Sequence, residues 1–182
     1  MKKNDITSVV AIAIGAAIIF IMKRFIVLPT PIPNTNIDFS YAFMALLASV
    51  YGGIPAAIAG FIGHWLMDAL TYGSVWYSWV ITTAFVGLGL GLVTKDMSIN
   101  QGIFAKKDQI KFFVGQFIVN ALAWIGLAPV LDILIHNEPA EKIFLQGTFS
   151  AVSNGLATGI IGLLLINAYA KTRTVSGSLS QK

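Results

Sequence analysis

The stretch ITSVVAIAIGAAIIFIMKRFIVL, residues 6–28, followed at once by PTPIP, residues 29–33, decides the reading of the fold. An apolar run of this length exceeds the roughly 20 residues a helix needs to cross a hydrocarbon core. Three prolines in the next five positions cannot continue a helix, so the segment ends there. The Met1-Lys2-Lys3 start ahead of the run has the look of a signal peptide. The run is too long for such a peptide's apolar region, however, and no small-residue cleavage site follows it. It reads as a first membrane helix.

The rest of the chain repeats this pattern. Of its 182 residues, 56% are hydrophobic and only 11% charged, where a soluble domain carries about 25% charged. So much apolar surface needs lipid as its solvent. Further apolar segments cover residues 39–51, 56–72, 75–94, 112–135 and 143–170, the first of them short. Gly52-Gly53-Ile54-Pro55, Gly73-Ser74 and His136-Asn137-Glu138-Pro139 supply turns between them. Residues 95–111 read as a solvent loop, and the Ser- and Thr-rich residues 171–182 as a flexible cytoplasmic tail. The expectation is an all-α integral membrane bundle of six transmembrane helices, one domain over residues 1–182, with both termini cytoplasmic.

The net charge of +4 does not point to nucleic acid, because the basic residues flank apolar segments. With the N-terminus inside and six spans, nine Lys and Arg lie inside, against three outside: Lys23, Arg24 and Lys142. Cytoplasmic ends carry such an excess of basic residues, which supports that orientation. There is no cysteine, so disulfides and thiolate metal sites are excluded.

Several polar residues recur at helical spacing near the outer end of their segments. His64 and Asp68 are four apart and share a helix face, as do Asp132 and His136. An ionisable group costs roughly 2.5–3.5 kcal/mol at mid-membrane depth, so each marks either a cavity wall or an internal hydrogen bond. No H-E-x-x-H arrangement accompanies them, and no metal site is expected. Gln146, Ser150 and Asn154 form a stripe of uncharged hydrogen-bonding groups, suited to orienting a polar ligand or to joining helices. Trp76 and Trp79 read as interfacial belt residues or as stacking partners for a flat ring, and the deeper Trp124 as a cavity wall. Gln116 and Asn120 are assigned to packing. Gly87-Leu88-Gly89-Leu90-Gly91 lacks the P-loop arrangement, so ATP is not hydrolysed by that means and no cofactor is expected. Ala13 and Ala17, four apart in the first segment, offer a small-residue face for a partner helix or for packing within the bundle.

Ile32-Pro33-Asn34-Thr35-Asn36-Ile37, Ser40-Tyr41-Ala42-Phe43, Gly63-His64 and Tyr72-Gly73-Ser74-Val75-Trp76-Tyr77-Ser78-Trp79, together with Ala13-x-x-x-Ala17, carry a family resemblance. The chain resembles, over nearly its whole length, the substrate-binding S component of energy-coupling factor (ECF) transporters. It is most similar to a family with members assigned to hydroxymethylpyrimidine, a thiamine precursor. The resemblance implies capture of a small vitamin-like molecule at the outer face of a bacterial plasma membrane. It also implies a membrane coupling subunit and two cytoplasmic ATPases as partners, with Ala13 and Ala17 as the docking face. Residues 29–38 would act as a lid, with Asn34 and Asn36 placed to hydrogen-bond ligand. The expected binding residues are Asn34, Asn36, Tyr41, His64, Asp68, Trp76, Trp79, Trp124, Asp132, Gln146, Ser150 and Asn154. The alternatives are a stand-alone facilitator, and a membrane enzyme using His64 with Asp68.

Overall fold

The computed structural model describes residues 3–173. Six helices follow one another in chain order: α1 Lys3–Phe25, α2 Ser40–Tyr51, α3 Gly53–Tyr72, α4 Tyr77–Thr94, α5 Lys106–His136 and α6 Ala140–Thr172. Five of them are long and apolar enough to cross a membrane, and α2 is a shorter apolar helix. The molecule is an all-α membrane bundle. At about 1.5 Å per residue, the 12 residues of α2 reach only about 18 Å, short of a full span.

The connection that leads into α2 holds a feature that no sequence pattern announces. The proline-rich connection carries two short antiparallel strands, β1 Val27–Pro29 and β2 Asn36–Asp38, pairing Val27 with Asp38 and Pro29 with Asn36. The apolar run therefore leaves the helix at Phe25 rather than at Leu28. The tip is tied by Thr30, whose hydroxyl donates to the Thr35 carbonyl at 2.6 Å. Asn34 takes the left-handed conformation there (φ 56°), which Asn tolerates better than most residues.

Other boundaries shift for local reasons. Residues 106–111, assigned to a loop, form the first turns of α5, since Lys and Gln are good helix formers and Asp108 sits in the favourable first turn. Lys171 and Thr172 extend α6, so the helix outlasts the segment read from sequence. Lys2, Lys182 and the tail over 174–182 lie outside the described residues.

Helix α3 packs between α1 and α4, and α2 sits centrally against α1, α3, α4 and α6. Small residues set these approaches. A Cβ on Gly87 or Gly91 would strike the backbone of α3 at Ala57 or Gly53, while Gly89 faces Val119 of α5. Gln116 donates to the Gly155 carbonyl at 2.9 Å and receives Asn120 on its own side-chain oxygen, joining α5 to α6.

Helix α5 is continuous through Pro129 because its hydrogen-bond register changes there. π-turns occupy Leu122–Leu127 and Asp132–His136. The Ala128 N–H bonds to the Ala123 carbonyl, and Pro129 has no N–H, so neither reaches the Trp124 carbonyl. Gly147 of α6 fills the space beside that carbonyl; any Cβ there would collide with it. Trp124 lies on the first of these turns and Asp132 on the second, and both are almost fully buried.

Candidate functional site

At the end of the bundle that carries the hairpin lies a cavity of about 260 Å³. Every helix contributes to its wall, and the hairpin closes one side. All twelve residues singled out from the sequence border it. Asn34 and Asn36 come from the hairpin region, Tyr41 from α2, His64 and Asp68 from α3, Trp76 and Trp79 from the start of α4, Trp124 and Asp132 from α5, and Gln146, Ser150 and Asn154 from α6.

The side chains divide into four groups by what they touch. The first fixes the indoles. The Asp132 carboxylate accepts hydrogen bonds from Trp76 Nε1 at 2.7 Å, from Trp79 Nε1 at 2.8 Å and from the Ser78 hydroxyl. Three neutral donors thus meet both oxygens of this buried carboxyl group. The indoles gain fixed orientations in return. Trp79 leans on Trp124 at 5.3 Å between ring centres, and Tyr41 meets Trp124 edge-on at 5.6 Å. His136, read as a loop residue, ends α5 and stacks on Trp76 at 3.9 Å.

The second group was missed in the sequence. Lys23, a basic flank of the first helix by sequence, is 6% exposed and forms a 2.5 Å ion pair with Asp38 of β2. It also donates to the Tyr41 hydroxyl at 3.2 Å. The available signal was the apolar run continuing past Lys23 to Leu28, since an ionisable side chain inside such a run marks a partner. The other Asp38 oxygen accepts the first N–H of α2, from Ser40 at 2.8 Å.

The third group straps the hairpin to α6. Asn154 accepts the Asp38 backbone N–H at 3.1 Å, and the Gln146 amide donates to the Pro33 carbonyl at 2.7 Å. Part of the hydrogen-bonding stripe on α6 therefore positions the hairpin.

The fourth group is a relay ending at His64. Lys23 can only donate, so the Tyr41 proton goes to Thr83, 2.9 Å away. Thr83 gives its own proton to the Trp79 carbonyl at 3.0 Å. Thr83 also lies 2.7 Å from His64 Nδ1, a contact whose donor is set by the His64 tautomer. His64 Nε2 lies 3.6 Å from Asp68 Oδ1, beyond hydrogen-bond distance. The other Asp68 oxygen accepts the Trp76 backbone N–H at 2.9 Å.

Two more polar atoms on the cavity residues, Trp124 Nε1 and Ser150 Oγ, are buried without a partner. An unmet buried donor costs about 1–3 kcal/mol. Among the described residues no three His, Asp or Glu side chains group as a metal site would require. Tyr72 and Tyr77 are exposed, as a belt at the headgroup level would be.

The cavity thus combines a packed aromatic wall with buried polar atoms that no partner among the described residues meets. The family model for the S component of ECF-type riboflavin transporters matches residues 3–171. The chain belongs to that family. S components are the substrate-binding subunits of transporters rather than catalytic enzymes, and this one is a multi-pass membrane protein. Relatives include a UPF0397 protein of Exiguobacterium sp., 49% identical over 182 residues, with both chains covered in full. UPF0397 proteins of Staphylococcus aureus strains JH9 and RF122 are 46% and 47% identical over 184 residues, again across the whole of each chain. No solved structure matches the chain at a significant level. Away from the cavity, Ala13 and Ala17 are exposed on α1, whereas Ala11, Gly15 and Ala16 are buried.

Proposed function

We propose that this S component captures one small planar ring, a vitamin or vitamin precursor, from outside the cell for an ATP-driven importer. The observation that carries the reading is the cavity itself, in which Asp132 holds two indoles beside a third, Trp124, whose Nε1 has no partner. A volume of about 260 Å³ lies just below the ~300–1,000 Å³ of sites for drug-sized ligands, which suits a single substituted ring. Hydroxymethylpyrimidine and pyridoxine-like rings are of that kind. Riboflavin, named in the family's description, has three fused rings and a sugar-alcohol chain, and would require the hairpin to open further.

The binding set is the twelve residues named from the sequence, joined by Lys23 and Asp38, with the hairpin as lid. The basic-residue bias supports cytoplasmic termini and a cavity facing outward. It strengthens once Lys23 is removed from the outer count as one half of a buried pair. The chain acts as a single domain in a bacterial plasma membrane. Its partners are a membrane coupling subunit, docked on the exposed Ala13 and Ala17, and two cytoplasmic ATPases. Small side chains there let a partner helix come close enough to gain dispersion contacts, which is how helices associate in lipid. Tilting of the whole bundle on that subunit would carry the cavity across as ATP is hydrolysed.

The test is uptake of labelled hydroxymethylpyrimidine, pyridoxine and riboflavin by cells lacking their own transporters. Accumulation is expected only when the chain is expressed with a coupling subunit and both ATPases. Equal accumulation with the chain alone would make it a facilitator and overturn the proposal.

A further inference from the structure

We propose that the groove at the inner end of the bundle, between the α2–α3 turn and the last turns of α4, seats one anionic phospholipid. Its acyl chain would lie on the apolar wall and its phosphate on Lys95. The inference is independent of the capture reading, because the groove and the outer cavity share no residue.

The groove encloses about 550 Å³, within the ~300–1,000 Å³ of sites for small ligands. Val50 of α2, Ile54 of α3, Leu88 and Leu92 of α4 and Met97 of the following loop supply its apolar wall. Ile54, Leu88 and Leu92 are also exposed, so the wall continues onto the outer surface of the bundle. Glycine leaves the room. Gly91 crosses α3 so closely that a Cβ on it would lie 2.2 Å from the Gly53 Cα, and a Cβ on Gly52 would meet nothing within 4 Å. The polar side chains here are already satisfied. The Ser49 and Thr94 hydroxyls donate to the Ala45 and Leu90 carbonyls of their own helices. Asn100 donates to the Val50 carbonyl and accepts the Tyr169 hydroxyl. Among the described residues, none of the buried side-chain polar atoms without a partner belongs to this wall. The groove therefore suits an apolar chain better than a polar metabolite.

The charge on the groove has one sign. Lys95 is the one charged residue on its wall, and it is exposed. Among the described residues no carboxylate pairs with it; the neighbouring Asp96 lies 3.8 Å from Lys111 instead. Leu88 stands seven residues before Lys95, about 10 Å away along α4 at ~1.5 Å per residue. An ammonium group thus caps an apolar wall about 10 Å deep, which matches a phosphate above its acyl chain. Lys106, Lys107, Lys111, Lys171 and Arg173 are exposed at the same end, the cytoplasmic one by the basic-residue bias. Anionic lipids of that leaflet attract basic residues near the surface.

The experiment is native mass spectrometry of the full-length purified chain in detergent, with equal amounts of phosphatidylglycerol and phosphatidylcholine carrying the same acyl chains. One phosphatidylglycerol per chain is expected to be retained, about five-fold in preference to phosphatidylcholine, the effect of one lysine near an anionic headgroup. Lys95→Gln should abolish that preference. Lys107→Gln, which alters an exposed lysine off the groove, should leave it intact. Glycerol phosphate, which has the anion without the chains, should fail to displace the lipid. A Lys95 that only complements the C-terminal end of α4 would lower Tm in Lys95→Gln and leave the lipid ratio unchanged. Equal retention of the two lipids by the unaltered chain overturns the inference and needs no variant to fold. An unchanged ratio in Lys95→Gln, an equal loss in Lys107→Gln, or displacement by glycerol phosphate overturns it too. No lipid preference, together with loss of the coupling subunit from the Lys95→Gln chain, would give the groove to that subunit and overturn it as well.

Discussion

Replacing Asp38 by Asn isolates the charge of a single buried group. The amide still accepts the Ser40 N–H, and the backbone N–H still reaches Asn154, so the start of α2 and the strap to α6 keep their hydrogen bonds. What is lost is the counter-ion of Lys23, whose side chain is 3% exposed and whose remaining polar contact is the Tyr41 hydroxyl at 3.2 Å. Removing one member of a buried pair costs about 3–5 kcal/mol, because the other charge is left uncompensated. Lys23 borders the cavity, where water offers some relief, so the lower figure of about 3 kcal/mol applies. For a chain of this size that corresponds to a fall of about 6–12 °C in Tm. Lys23→Met combined with Asp38→Asn leaves no orphan charge and should recover most of the loss. A double-mutant cycle followed by tryptophan fluorescence during heating in detergent measures the coupling, expected to be about 2 kcal/mol or more. Single effects that add to within about 0.5 kcal/mol would refute the reasoning.

Three other outcomes follow from the geometry. Asp132→Ala leaves the Trp79 indole and the Ser78 hydroxyl without their acceptor. It should lower stability by about 1–3 kcal/mol for each buried donor left unmet and shift the tryptophan emission maximum; an unchanged spectrum and Tm would argue against the indole clamp. Gly147→Ala should destabilise by about 1–3 kcal/mol or more through overpacking, since the new methyl meets the backbone of α5 at Trp124. Thermal unfolding alongside the tolerant control Gly126→Ala, which has open space, checks it. Ala13→Trp or Ala17→Trp should abolish co-purification with the coupling subunit and ATPases while ligand binding persists, because both positions are exposed on α1 and neither borders the cavity.

Much of this architecture is legible in the chain because lipid imposes simple rules. Long apolar runs broken by Pro29, Gly52 and Gly73 mark helices without any knowledge of their neighbours. The polar residues at four-residue spacing, His64 with Asp68 and Gln146 with Ser150 and Asn154, face the interior because lipid would not accept them on the outside. What was hidden depends on partners far away in sequence. The hairpin over 27–38 has no alternating pattern, and its position is set by Gln146 and Asn154, more than a hundred residues on. Asp132 looked like half of a pair with His136, yet its partners are Trp76, Ser78 and Trp79, 53 to 56 residues earlier. Lys23 was the most misleading residue, because a basic group near a helix end serves topology or burial with equal plausibility until Asp38 is seen beside it.

The central claim concerns binding without an engine, and one titration addresses it. The purified chain alone, with no ATP and no partner subunit, should bind one molecule of a small ring vitamin or precursor per chain, with saturation by calorimetry. Ser150→Trp, which places an indole in the cavity from a residue 1% exposed, should abolish that heat. Undiminished binding by the Ser150→Trp chain, or affinity that appears only once the ATPases are added, would contradict the account.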